Sequence, residues 1–117
     1  MQELPKTFSR DDIEETVVAE FDPAVNMSRL SSTNGRLVSS TEKVYVMAEV
    51  NAGMADVLGK LVFQPKCFAY SEIADYGKRG LAGYVITLGD GTKLEFSNVF
   101  GKMRKGITAA IEEGLGK

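Results

Sequence analysis

From residue 28 onward, short runs rich in β-branched and aromatic residues alternate with turn-forming clusters: Asn34-Gly35, Asn51-Ala52-Gly53, Gln64-Pro65-Lys66, Lys78-Arg79-Gly80 and Gly89-Asp90-Gly91. That rhythm predicts an all-β sandwich or barrel with seven strands, over residues 28–32, 36–40, 43–50, 55–63, 67–76, 82–88 and 92–97. Phe68 and Tyr70, Tyr84 and Ile86, and Leu94 and Phe96 are each spaced by two, so each pair marks the buried face of its strand. Asn34-Gly35 is the strongest local turn signal, because both residues tolerate the positive φ of a type I′ hairpin turn; it pairs 28–32 with 36–40. Gly89-Asp90-Gly91 lacks the spacing of a phosphate-binding loop and sits between two strand runs, which makes it a hairpin turn.

Two helical patterns frame this β-rich body. Near the start, Ser9 is an N-cap candidate, Asp11, Asp12 and Glu14 suit a first turn, and Ile13, Val17 and Phe21 recur every four residues with Val18 beside them. This predicts an amphipathic helix ended by Asp22-Pro23. At the other end, Phe100, Met103, Ile107, Ala110 or Ile111, and Leu115 form one stripe at helical spacing, capped by Ser97 or Asn98, and this helix closes the sheet. Residues 42–61 fit two periods. Val44-Tyr45-Val46 reads as strand, while Val44, Met47, Met54 and Leu61 also lie on a helical stripe that Ser39 and Glu42 could open as a capping box.

Composition changes this picture mainly by exclusion. The chain has no histidine, which rules out histidine relays and removes the commonest metal ligand. Its single cysteine, Cys67, lies in an apolar run and reads as a buried, inert thiol in a reducing compartment. No apolar stretch is long enough to span a bilayer, so a cytoplasmic protein is expected. Residues 1–26 carry seven acidic and two basic residues, a net −5, against +3 for the remainder. The chain accordingly divides into an acidic segment with its helix (1–26) and one domain (27–117).

Candidate chemistry is sparse. The C-terminal helix places Lys102, Arg104 and Lys105 at its start and Glu112 and Glu113 at its end, against the macrodipole preference of about 0.3–1 kcal/mol per exposed charge. Two explanations fit: an anion or partner site at the helix start, or solvated charge paired with the acidic N-terminal segment. Lys78 and Arg79 at a hairpin tip form a second basic point. Glu72 with Asp75, and Glu112 with Glu113, cluster with no further ligand, so no metal or cofactor is expected. The mild negative charge and the lack of a basic face interleaved with aromatics argue against nucleic acid.

Residues 61–115 resemble the second half of the bacterial pleckstrin-homology-like (PH-like) domains. The likeness is carried by the strand Phe68-Ala69-Tyr70-Ser71-Glu72-Ile73, a glycine-bearing turn, the hairpin from Tyr84 to Phe96 and the closing helix. It implies a mainly β (α+β) fold, a seven-stranded bent β-sandwich or barrel capped by a helix over 98–115, here with an extra N-terminal helix. The first hairpin offers only Arg29, Arg36 and the later Lys43, which departs from the basic run of lipid-binding members. The resemblance therefore implies a non-catalytic binding or assembly module that engages a protein partner or self-associates, with anionic lipid as a further possible ligand. A rival resemblance, to roadblock or profilin-like regulatory dimers that act as scaffolds for a GTPase or similar partner, rests on Asn34-Gly35-Arg36-Leu37-Val38 as a first hairpin and on a helix over 42–61.

Overall fold

A computed structural model of the chain describes residues 1–26, 32–48 and 64–117. Its organising element is a pair of long bent strands. β2 (Val17–Phe21) and β3 (Ala24–Asn26) are two halves of one run interrupted at Asp22-Pro23, and both pair antiparallel with the nine-residue β4 (Ser32–Ser40). The register passes unbroken through the interruption, from Ala19↔Ser39 and Phe21↔Leu37 to Ala24↔Asn34 and Asn26↔Ser32. Buried Pro23 has no N–H to leave unpaired, and its carbonyl accepts the Gly35 N–H at 3.1 Å. A Cβ on Gly35 would overlap the Val25 side chain and stand 3.0 Å from the Pro23 carbonyl oxygen. Gly35 is thus required for close approach at the bend.

Two sheets grow from this pair. On one side stand β5 (Lys43–Ala48), β6 (Lys66–Ala69) and the two-residue β1 (Gln2–Glu3), in the order β4-β5-β6-β1. On the other, β3 pairs with β9 (Lys93–Ser97), followed by β8 (Gly83–Leu88) and β7 (Ile73–Arg79) at the edge. Helix α1 (Gly101–Gly114) packs against β2 and β7 and closes the space between the sheets. Val44, Val46, Phe68, Tyr84, Ile86, Leu94, Phe96, Ile107 and Ile111 meet in the core beneath it. The alternating residues predicted for the last two strands are the buried ones.

The first sheet is covered on both faces. Leu37, Val44, Val46 and Phe68 face the main core, whereas Val38, Tyr45, Met47 and Cys67 face outward onto Leu4, Phe8, Ile13 and Val17. The Phe8 and Tyr45 rings stack with centroids 5.6 Å apart. Residues 1–17 therefore act as a cover for a face that most two-sheet folds leave to water.

Several expectations are corrected. The N-terminal helix is absent: Ser9 does begin a helical turn, with the Asp12 carboxylate accepting the Ser9 N–H at 2.7 Å, but it is a single 3-10 turn over Arg10–Asp12. Residues 17–21 are strand because Val17, Ala19 and Phe21 turn inward while Val18 and Glu20 face solvent. Asn34-Gly35 lies inside β4 and is not a turn. The run 67–76 is divided into β6 and β7 by a 3-10 turn at Tyr70–Glu72, where Glu72 accepts the Ala69 N–H at 2.8 Å. Residues 43–48 are strand, paired on both sides, so no helix begins at 42. The expected strands at 28–32 and 55–63, and the rest of the ambiguous stretch to 61, fall at or within segments outside the described residues. The C-terminal helix starts at Gly101 with Phe100 as its N-cap, after Asn98 turns the chain with φ 59°. Gly89-Asp90-Gly91 is the hairpin turn expected, with Gly91 at φ 92° and Asp90 Oδ1 accepting the Thr92 N–H at 2.9 Å.

Glycines seat α1 on the sheets. Gly106 faces the Phe21 ring, where a Cβ would lie 2.7 Å from Cε1, and Gly114 faces the Tyr70 ring with no room for a methyl group. Alanine in a helix interior ordinarily gains about 1 kcal/mol over glycine. Gly114→Ala should instead cost about 1–3 kcal/mol through overpacking, while Gly101→Ala, which meets nothing within 4 Å, should be neutral or stabilising. Urea unfolding midpoints of the two variants check this, and equal midpoints would contradict the seating described here.

Candidate functional site

The register of β8 and β9 brings one end of the molecule together. Tyr84 pairs with Phe96, and just beyond the ladder the Val99 N–H donates to the Ala82 carbonyl at 2.8 Å. The β7–β8 turn therefore lies beside the start of α1. Gly80 turns the chain with φ 70°, and Gly83 cannot carry a side chain because a Cβ would strike the Arg79 carbonyl. Between them Leu81 is 90 % exposed, and one residue beyond Val99, Phe100 is 62 % exposed.

The five sequence-predicted cations divide. On β7, Lys78 lies two residues from Tyr76, whose hydroxyl donates to Glu112 Oε1 of α1 at 3.3 Å, so Lys78 stands on the face that α1 covers. Arg79 points to the opposite face and pairs with Glu95 across the sheet. Lys102 and Lys105 are exposed on the outer side of α1 and Arg104 is half-buried. None of Lys78, Lys102, Arg104 and Lys105 enters an ion pair among the described residues. The acidic N-terminal residues do not neutralise the helix start: Glu20 pairs with Arg10 and Arg36, and no acidic residue lies in the first turn of α1. Asp22 is the acid brought nearest to this end by the chain, two residues from Ala24, which pairs with Ser97. The structure thus joins Lys78 to the helix cations and separates Arg79 from them.

Sequence reasoning missed the two apolar residues. Leu81 was assigned no role, and Phe100 was placed in the buried stripe of the helix. A signal existed for the first: a large apolar residue inside Arg79-Gly80-Leu81-Ala82-Gly83, a segment otherwise composed for a turn.

The remaining perturbed groups are structural. Glu15 Oε1 accepts the Tyr45 hydroxyl at 2.6 Å and lies 3.2 Å from the Ser40 hydroxyl, and the Tyr45 bond above all holds this carboxyl below its ordinary value. Burial, then the Glu15 carboxylate, raises the Tyr45 phenol well above its usual range. Burial likewise pushes up the Cys67 thiol, as well as the Tyr70 and Tyr84 phenols, which bond to the Ser40 carbonyl at 2.6 Å and the Thr108 hydroxyl at 2.9 Å. Among the described residues no three acidic or thiol groups converge as metal ligands, and no helix is long and apolar enough to cross a membrane.

No protein-family profile matches the chain, and no curated protein matches it in sequence. Solved structures do. The C-terminal domain of an unknown protein from Leishmania infantum superposes with a TM-score of 0.65 at 14 % identity, over 88 % of this chain and 86 % of that one. The linker-DH/PH domains of p115-RhoGEF superpose with a TM-score of 0.67 at 9 % identity, over 88 % of this chain and 30 % of that longer one. At these identities the likeness concerns the fold: a mainly β, curled antiparallel sheet with one C-terminal helix, consistent with the PH-like architecture. The rival reading loses its two supports within the described residues, because its hairpin residues lie inside β4 and its helix would begin in β5.

Two outcomes are expected of the groups assigned to the fold. A carboxyl lowered on folding adds stability that is complete above its ordinary value of 4.5 and is lost as pH falls through the lower folded value. Glu15→Gln should therefore flatten the acid limb of a stability-versus-pH curve and leave its shape above pH 6 unchanged. Cys67 should resist an aromatic disulfide reagent in the native protein and react promptly in denaturant, as absorbance would report.

Proposed function

We propose that this chain is a non-catalytic binding or assembly module of PH-like type, working in the cytoplasm, which engages a protein partner or an anionic ligand at the end formed by the β7–β8 turn and the start of α1. The observation that carries this reading is the set of solvent-facing cations, Lys78, Lys102 and Lys105 with Arg104 beside them, gathered at one end by the Val99–Ala82 bond and left without ion pairs among the described residues. The arrangement runs against helix stability, since three cations crowd the positive end of the α1 dipole. A feature that costs stability while facing solvent fits a surface kept for a partner. Glu112 has a local reason of its own, the hydrogen bond from Tyr76, so only the cations at the helix start lack one.

The PH-like fold supports a binding role without naming the ligand. The bacterial branch of that resemblance rests on the pattern of residues 61–115 alone. A Lys or Arg near an anionic surface contributes about 1 kcal/mol. The triple variant Lys102→Glu, Arg104→Glu, Lys105→Glu should then weaken binding of anionic probes, both an acidic peptide and anionic vesicles, by roughly a hundredfold or more. Backbone NMR titrations of both proteins, followed at residues 78–82 and 99–105, are the measurement. Binding that persists unchanged in the triple variant would sink the proposal.

A further inference from the structure

We infer that the same end is built to dock on an anionic membrane surface, with Leu81 and Phe100 entering the boundary between headgroups and acyl chains and Lys78, Lys102 and Lys105 meeting the lipid phosphates. The inference rests on the reading of this end as the working surface and names its occupant.

Leu81 and Phe100 are the two most exposed large apolar residues among those described, at 90 % and 62 %. A single exposed leucine is ordinary. These two, however, come from segments about twenty residues apart in sequence and flank one hydrogen-bonded pair, Ala82 and Val99. Leu81 is held outward by a turn that needs two glycines: Gly80 for its positive φ and Gly83 for the room it leaves the Arg79 carbonyl. Phe100 is held outward as the N-cap of α1, in extended backbone before the first helical residue.

The mixture of residue types favours a membrane over a protein. The centre of a protein interface is apolar and depleted in lysine, and a specific one covers about 800 Å² on each partner. Here the two apolar side chains stand among lysines. Lysine stems run along apolar material while their heads reach phosphate, as at membrane interfaces. Acidic groups at this end are few: Glu95 is paired with Arg79, and Asp22 is the other. The chain as a whole carries −2, and its first 26 residues −5, so an anionic surface attracts this end while repelling much of the body. Docking therefore has one favoured orientation, and it is reversible, because two apolar side chains and a few cations insert shallowly.

The chain has no tryptophan, which gives a clean probe. Phe100→Trp places a unique indole at the proposed contact. With vesicles of phosphatidylcholine containing phosphatidylserine, its emission should move to shorter wavelength and be quenched by brominated acyl chains, and neither should happen with phosphatidylcholine alone. In co-sedimentation, Lys102→Gln and Lys105→Gln should each weaken binding about fivefold. The double variant Leu81→Asn, Phe100→Asn should weaken it more than about tenfold. Asparagine is a favoured N-cap, so the second substitution leaves α1 intact, as circular dichroism would verify. Vesicle binding indifferent to Leu81 and Phe100, or an unquenched indole, would overturn the membrane inference. Loss of acidic-peptide binding on charge reversal, with no vesicle binding at all, would overturn it too while leaving the proposed binding surface in place; indifference of both probes to charge reversal would overturn both.

Discussion

The bend shared by β2–β3 and β4 is the constraint on which the rest of this structure depends. One strand pair serves both sheets, and the two directions meet where Pro23 and Gly35 face each other. Proline there withholds no donor from the ladder, and glycine admits Val25 and the Pro23 carbonyl into space that a side chain would fill. Because β3 turns toward β9 while β2 stays with the first sheet, a gap opens between β2 and β7. Helix α1 fills it, placing Gly106 on Phe21 and Gly114 on Tyr70. The helix start, and with it Lys102, Arg104 and Lys105, is positioned by this chain of contacts.

The first sheet pays for its second apolar face with a cover. Residues 1–17 lay Leu4, Phe8, Ile13 and Val17 over Val38, Tyr45, Met47 and Cys67, and Glu15 ties the cover down through the Tyr45 hydroxyl. Carbonyl and amide groups at its margin are also satisfied, with the Leu4 N–H donating to the Pro65 carbonyl at 2.8 Å and the Gln64 side chain donating to the Leu4 carbonyl. Segregating this apolar face from water leaves the β7–β8 end as the place where large apolar side chains remain most exposed.

What could be read from the sequence was what is local. The Tyr84–Ile86 and Leu94–Phe96 alternations, the Gly89-Asp90-Gly91 turn and the C-terminal helix each depend on neighbours within a few residues and on one buried face. The N-terminal helix was misread because a spacing of four, as in Ile13, Val17 and Phe21, satisfies a strand as well as a helix; the half-buried Ala19 between the last two decides it. Residues 43–48 resisted assignment because a strand covered on both faces shows no alternation. Asn34-Gly35 carried the composition of a turn, yet its glycine serves close approach and not positive φ. Among the cations, the partner of Arg79 sits on β9, sixteen residues away, and the nearness of Leu81 to Phe100 follows from register. Neither is visible before the strands are paired.

The two ends of the sheet order differ in how they avoid recruiting another chain. At one end β1 is two residues long and offers almost no template. At the other, β7 is a seven-residue edge whose outer side pairs with no strand among those described. Its exposed Asp75, Lys78 and Arg79 place charge along that edge, the usual guard against edge-to-edge association and fibre growth. Lys78 thus has two duties, and selection for solubility would keep a charge at that position even in a relative that had lost its ligand.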